Sequence, residues 1–331
     1  MRQIPLAAIR DAAASIYPVV TRTPLVRLPL TPEVSERLAG TEIYLKLEVL
    51  QPIGSFKIRG AYNVVRQMSK DELRDGVWTV SAGNAAQGVA LAARTAGVPC
   101  SVMVMDTAPD AKLQAIRRLD AKIVQVTYDE CWKTVETHRS DRMRGRFIHP
   151  FDDDRFIAGN GTAGLEIIED LPDVDAVVAP LGGGGLLSGV ASAVRALRPD
   201  VPVYAAEPET AAPFDASLKK GEPIYFDRWQ ASFVDGAGGR SVLPTMWPLL
   251  QGLLAGSVVV PLADVAAAMK LTAERVHVIA EGAAGCAIAA ALSGRTRPRP
   301  RSGHGGAKIV AVVSGGNIDL SKFASLIGAC A

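Results

Sequence analysis

Short apolar runs of strand length alternate with longer segments of helical period along most of this chain. Ile4, Leu6, Ile9 and Ala13 recur at helical spacing as far as Ile16, and Pro18 ends the segment. A loop with Thr23-Pro24-Leu25 follows, then Glu42 to Glu48 alternates polar and apolar positions as a strand does. Gln51-Pro52-Ile53-Gly54 turns that strand into a helix opening at Lys57. The unit then repeats: Gly76 to Val80 is a short strand, Ser81-Ala82-Gly83-Asn84 a turn, and Ala85 to Ala96 a small-residue helix closed by Gly97. Cys100 to Met105, Ala111 to Leu119 and Lys122 to Thr127 continue as strand, helix and strand.

Further along, Ala158-Gly159-Asn160-Gly161-Thr162 reads as a glycine turn leading into a helix through Ile168. Asp175 to Leu181 is a buried-strand run, followed by Gly182-Gly183-Gly184-Gly185 and a helix from Leu186 to Leu197. Helices around Leu262 to Ala280 and Gly285 to Leu292 precede a last apolar strand, Lys308 to Val313, which ends in Ser314-Gly315-Gly316-Asn317. Regular alternation of this kind predicts an α/β protein of two lobes, each an open, mostly parallel twisted sheet flanked by helices. The expected division is a large lobe of residues 1–75 and 146–331 and a small lobe of residues 76–145.

Composition narrows the function more than the fold. With 48% hydrophobic residues in 331, there is ample material for a buried core. A formal charge of +2 with interspersed acids and bases gives no broad basic field for nucleic acid or an anionic membrane. Arg295, Arg297, Arg299 and Arg301 alternate with prolines but lack interleaved aromatics, so they read as a solvated loop and not an RNA patch. No apolar run approaches the roughly 20 residues a membrane helix needs, and Arg2, Arg10 and Asp11 interrupt any signal-peptide core. Cys100, Cys131, Cys286 and Cys330 form no CxxC pair, which suits reduced thiols and a cytoplasmic location.

The chemistry-bearing residues fall at strand ends. Lys57 lies in Gly54-Ser55-Phe56-Lys57-Ile58-Arg59-Gly60-Ala61, where apolar Phe56 and Ile58 and a nearby Arg59 are expected to lower the amine pKa and make it a nucleophile able to form a Schiff base. The octet by itself is equally an ordinary capped helix start, since Gly54-Ser55 is good capping chemistry. The amides opening the helix at Ala85 suit a carboxylate, and four glycines at the Leu186 helix suit a phosphate, because backbone N–H groups converge there without Cβ atoms in the way. A dinucleotide is the rival ligand, with Glu207 at about the ribose-binding spacing. GxGxxG fails in both registers, however: its last position is Leu187 or Ser188. A Walker lysine is also lacking, so a single phosphate monoester fits best, and an amine beside it suits an aldehyde such as pyridoxal phosphate.

These four motifs together resemble the fold-type II pyridoxal phosphate enzymes, and within them the serine/threonine dehydratases and serine racemases. The resemblance runs from Thr23 nearly to the C-terminus. It implies that Lys57 carries the cofactor as a Schiff base and later takes the Cα proton. Phe56 would pack against the cofactor ring, Asn84 meet its hydroxyl, Gly182, Gly183, Gly184, Gly185 and Leu186 hold its phosphate, and Ser314 face its pyridine nitrogen. Ser81, Ala82, Gly83, Asn84 and Ala85 would bind the substrate carboxylate. A neutral serine hydroxyl does not force protonation of the ring nitrogen, which favours elimination over long-lived carbanions.

Departures from the family pattern refine this expectation. Ala82 stands where the similar racemases carry a second serine that returns a proton on the opposite face, and alanine cannot do so. Ala85 replaces a usual histidine, Asn160 a glutamine and Gly282 a proline after Glu281; the pocket wall is expected around Ala85, Asn160 and Phe233 to Arg240. A divalent-cation site in some relatives would match Glu207, the Ala211 carbonyl and an aspartate where this chain has Pro213, so a weak or altered cation site is expected. The chain stops at Ala331 without the regulatory domain of biosynthetic threonine dehydratases, so branched-chain feedback is not expected. The resemblance implies a homodimer that dehydrates L-threonine or L-serine to a 2-oxo acid and ammonia. Serine racemase, 3-hydroxyaspartate ammonia-lyase and β-replacement synthase are the alternatives.

Overall fold

The computed structural model describes residues 2–296, 298 and 306–329, which leaves Arg297, Arg299, Arg301 and Cys330 outside the described residues. Two sheets organise them. The larger holds β1 (Leu25–Arg27), β2 (Glu42–Leu47), β7 (Ala176–Pro180), β8 (Val203–Pro208), β9 (Gly256–Val260) and β10 (Lys308–Val313), in the order β1-β2-β10-β7-β8-β9. Only β1 runs antiparallel, against β2; the other neighbours are parallel. The smaller sheet is all parallel, with β3 (Val77–Val80), β4 (Cys100–Met105), β5 (Lys122–Val126) and β6 (Arg146–Phe147) in the order β5-β4-β3-β6. The expected α/β architecture of two mostly parallel sheets is therefore present.

Strand β10 is central to how the site forms. Although it follows the other described strands in sequence, it pairs with β2 on one side and β7 on the other. Its residues from Ile309 to Val313 are buried on both faces, as the continuous apolar run requires. The turns after β2, β10 and β7 thus lie side by side at one sheet edge. Those turns carry Lys57, Ser314 and Gly182. Hydrogen bonds stitch two of them together: Phe56 N donates to Ser314 O at 3.0 Å and Gly316 N to Gly54 O at 2.9 Å.

One sequence expectation fails. Ala158 to Thr162 is not a turn; it lies inside the helix Asp154–Asp170, whose N-terminus Asp153 caps by accepting from Arg155 N and Phe156 N. The glycines there serve close packing. A Cβ on Gly159 would stand 2.4 Å from the Arg59 carbonyl oxygen, so helix-to-helix contact and not chain reversal selects glycine. Asn160 is consequently fully buried in that helix and does not line the pocket.

A buried charge network ties the helices to the sheet. Arg59 donates to Glu48 at 2.7 and 2.8 Å and to Glu166 at 2.6 and 2.9 Å, while Lys46 reaches Glu166 at 2.7 Å and the Thr23 carbonyl at 2.7 Å. All four charged side chains are fully buried. Burial alone would lower the Arg59 pKa, but Glu48 and Glu166 outweigh it and hold the guanidinium charged. Among the described residues no helix is long and apolar enough to cross a membrane, and Cys100, Cys131 and Cys286 are buried free thiols.

Candidate active site

A cavity of about 390 Å³ lies where the two sheets face each other, within the 300–1,000 Å³ common for small-molecule sites. Phe56, Lys57, Ser81, Ala82, Gly83, Asn84, Ala85, the run from Gly182 to Leu186 and Ser314 all line it. Every residue expected to bind cofactor or substrate is therefore brought together, whereas of the expected outer wall Ala85, Asp235 and Gly236 line the cavity and Asn160 does not. Glu207 and Ala211 are not among them.

Lys57 begins the helix Lys57–Arg66, and its own amide donates to Ser55 Oγ at 3.3 Å. Ser55 Oγ thus meets the first helical amide, although Phe56 holds the N-cap position without a side-chain cap, and the Lys57 side chain lines the cavity. Lys57 Nζ donates to the Pro150 carbonyl at 2.6 Å and lies 5.2 Å from the Phe56 ring centroid and 5.4 Å from that of Phe156. Burial pushes its pKa down to about 8, with Glu281 opposing the fall. Arg59 is not the cause expected from its closeness in sequence. Two residues apart on a helix means about 200° of rotation, which turns Arg59 away into the Glu48 and Glu166 network.

The glycine run leads into the helix Gly185–Leu197. Gly184 caps it with φ +90°, a left-handed conformation that glycine adopts without a Cβ penalty. A Cβ on Gly183 would stand 2.3 Å from the Phe151 ring, so a side chain there would displace the cavity wall. First-turn amides of a helix have no intrahelical partner and carry the positive end of its dipole, which is a fitting cradle for phosphate.

Opposite stands the turn after β3. Ser81 Oγ accepts from Gly83 N at 3.1 Å, and the helix Asn84–Ala96 opens beside the cavity with no side-chain cap on its first amides. Asn84 bridges the sheets: its Nδ2 donates to Glu281 Oε1 at 2.8 Å, and its Oδ1 accepts from Asn317 Nδ2 at 2.7 Å. Neither Glu281 nor Asn317 was assigned a role from sequence. The signal available was their position, Asn317 closing the Ser314 turn and Glu281 opening the helix Gly282–Leu292.

Burial pushes the Glu281 carboxyl up to about 7, Asp235 adding to the rise. A carboxyl raised in the folded state contributes stability that is complete below its ordinary value of 4.5 and lost as pH climbs through about 7. Urea midpoints should therefore fall between about pH 5 and pH 8 more steeply in the wild type than in Glu281→Gln. Parallel profiles would assign that dependence to another group.

His149 shapes the loop that holds Lys57. Its Nδ1 accepts from Asp152 N at 2.7 Å and its Nε2 lies 3.2 Å from the Val135 carbonyl, while burial lowers its pKa to about 4. A neutral ring with the proton on Nε2 satisfies both contacts. Across the cavity mouth, Lys112 pairs with Asp235, and the Arg240 guanidinium lies 5.3 Å from the Tyr128 ring and 4.5 Å from that of Trp229. The loop from Phe233 to Arg240 thus meets helices attached to the smaller sheet, and Asp235 and Gly236 join the wall. Glu207 instead caps the helix Pro213–Lys220, accepting from Phe214 N at 2.9 Å, Asp215 N at 2.8 Å and Ser257 Oγ at 2.6 Å. With both carboxylate oxygens used in this way it is built as a cap, and among the described residues no cluster of three or more His, Cys, Asp or Glu side chains forms a metal site.

A family model described as pyridoxal-phosphate dependent enzyme matches residues 16–315. The chain belongs to this family. The desolvated lysine, the glycine cradle and Ser314 fit pyridoxal phosphate, whose aldehyde, phosphate and pyridine nitrogen need an amine, amides and a hydroxyl respectively. An L-threonine ammonia-lyase of Thermotoga maritima is 37% identical over 326 residues, covering 98% of this chain and 78% of that protein. Among solved structures, maize serine racemase superposes with a TM-score of 0.87 at 30% identity, covering 99% and 98% of the two chains. The processed threonine deaminase isoform 2 of Solanum lycopersicum gives 0.84 at 33%, covering 99% and 96%.

Proposed function

We propose that this pyridoxal-phosphate dependent enzyme is an ammonia-lyase that dehydrates a 3-hydroxy amino acid. The observation that carries the reading is the pairing of one desolvated amine, Lys57 Nζ, with Ala82 on the opposing turn. A racemase needs a proton donor on each face of Cα, and Ala82 offers none. Its relationship to threonine ammonia-lyases supports the same choice.

When bound, the cofactor supplies an electron sink that acidifies the Cα–H bond. Lys57 takes that proton as the free amine, a form its lowered pKa keeps accessible near neutral pH. The amides of residues 83–85 and Ser81 hold the substrate carboxylate, which fixes Cα in front of Lys57. Amides from Gly182 to Leu186 would hold the phosphate, Phe56 would pack beside the ring, Ser314 would serve the pyridine nitrogen, and Asn84, oriented by Glu281 and Asn317, would serve the ring hydroxyl. The net change is loss of water across Cα and Cβ, after which the released enamine hydrolyses to a 2-oxo acid and ammonia.

The division into a lobe of residues 1–75 and 146–331 and one of residues 76–145 belongs to this proposal, the smaller sheet closing on the larger through the Lys112–Asp235 and Arg240–Tyr128 contacts. So do a homodimeric assembly and a cytoplasmic location, the latter supported by the buried thiols. The test is to incubate holoenzyme with L- and D-serine, L-threonine and 3-hydroxyaspartate, measuring oxo acid, ammonia and enantiomer ratio. Oxo acid and ammonia in equal amounts are expected. Racemisation outrunning elimination, or no oxo acid from any 3-hydroxy amino acid, overturns the reading.

A further inference from the structure

Beside the catalytic cavity lies a second recess of about 150 Å³. Val80, Ser81, Ala82, Met105, Trp132 and Val135 line both spaces, so the recess adjoins the cavity at the carboxylate-binding turn, with the exposed Tyr128 at its outer side. Its deeper wall comes from β4 and the helix Tyr128–Thr137, where Met103, Val104 and Cys131 are buried. Burial pushes the Cys131 thiol up to about 11, so it lines the recess as a neutral, weakly polar group. The surface presented there is almost wholly apolar.

Three comparisons decide what such a recess can take. An apolar cavity of about 150 Å³ is large enough to hold a benzene ring. Serine, whose β-carbon carries only hydrogens besides the hydroxyl, would leave the space to water held against apolar walls. A second carboxylate fares worse, because at the cavity mouth the Lys112 cation is already paired with Asp235, and Glu281 is near. An incoming carboxylate would meet Asp235 together with Lys112. Ala82 also matters here, since a hydroxyl at that position would stand on the rim between the cavity and the recess.

We propose that the recess behind Ser81 and Ala82 receives the β-substituent of the substrate, so that the enzyme prefers 3-hydroxy amino acids bearing a phenyl or branched alkyl group over serine, threonine and 3-hydroxyaspartate. This rests on the elimination reading above and names its substrate class. For 3-phenylserine the balance is loss of one water across Cα and Cβ, gain of one water on enamine hydrolysis, and release of one 2-oxo-3-phenylpropanoate and one ammonia.

The test compares kcat/KM of the holoenzyme for 3-phenylserine, 3-hydroxyleucine, serine, threonine and 3-hydroxyaspartate. A value for phenylserine at least about tenfold above that for serine is expected, in line with what an apolar pocket discriminates. In Cys131→Phe, which fills the recess from its deeper wall, the phenylserine-to-serine ratio should fall by about tenfold or more, mainly through KM. Ala82→Ser makes the same ratio fall from the rim, and covers the case in which Cys131→Phe does not fold. Turnover of serine or threonine with phenylserine slower than both, or preference for 3-hydroxyaspartate, overturns the recess assignment and leaves the elimination reading standing. An unchanged ratio in both variants also overturns it. No oxo acid from any of the five overturns the elimination reading itself, and the recess assignment with it.

Discussion

Replacing Lys57 by alanine lowers turnover of the accepted 3-hydroxy amino acid by about 10⁴-fold or more, because one substitution removes both the covalent anchor of the cofactor and the base that takes the Cα proton. The visible absorption of lysine-bound cofactor disappears with it. Far-ultraviolet circular dichroism should be unchanged, since the Lys57 amide still donates to Ser55 Oγ and its side chain contributes only one hydrogen bond, to Pro150, and ring contacts to Phe56 and Phe156. The other lysine lining the cavity is Lys112, engaged with Asp235 at the mouth. Persistence of the visible band in Lys57→Ala, with its loss in Lys112→Ala, would move the anchor across the pocket and reverse the functional reading. In the wild type, cofactor loading should quicken as pH rises through about 8, where Lys57 becomes mostly free amine.

Arg59→Ala is the most destabilising substitution expected outside the pocket, costing about 3–5 kcal/mol. The guanidinium supplies four short hydrogen bonds to Glu48 and Glu166, and its removal leaves carboxylates buried without that compensation. Lys46 still reaches Glu166, but Glu48 keeps only Thr23 Oγ1 and Gln51 Nε2. Urea unfolding at neutral pH measures the effect. The sign of its pH dependence follows from Glu166, where burial would raise the pKa but Arg59 and Lys46 outweigh it and hold it below the ordinary 4.5. A depressed carboxyl stabilises the fold above its unfolded pKa, and that contribution is lost as pH falls through the folded value. The gap between wild type and Arg59→Ala should therefore narrow in acid. A constant gap from pH 7 down to about pH 2 would show that packing of the Arg59 side chain, and not its charge, is what the fold uses.

Much of the architecture was legible because it depends on local pattern. The apolar run from Ile309 to Val313 marks a strand covered on both faces, and Gly182 to Gly185 between a strand and a helix marks an anion cradle. Three of the four motif turns end strands that are neighbours in one sheet, and a chain whose strands are all read correctly still leaves that order open. The failures share one cause. Arg59, Asn160 and Glu281 each have a role fixed by a partner 11 to 197 positions away or by the packing of one helix on another. Sequence proximity placed Arg59 beside Lys57, whereas helical rotation separates them. Glycine content suggested a turn at Ala158 to Thr162, whereas a neighbouring helix pressing on Gly159 explains the same residues.

The place of β10 has a consequence for how the enzyme is made. Ribosomal synthesis delivers β2 and β7 before Lys308 to Val313, so from the emergence of Pro180 until that of Lys308 those two strands have facing edges with nothing between them. Unpaired edges of this kind are sticky, and long-range parallel pairing is slow. The nascent chain therefore needs shielding until its central strand arrives, and a cofactor aldehyde meets Lys57, the glycine cradle and Ser314 as a set only after that insertion. Assembly of the sheet and competence for chemistry are one event, so a chain cut short before Lys308 is inactive and prone to aggregation, whatever its length.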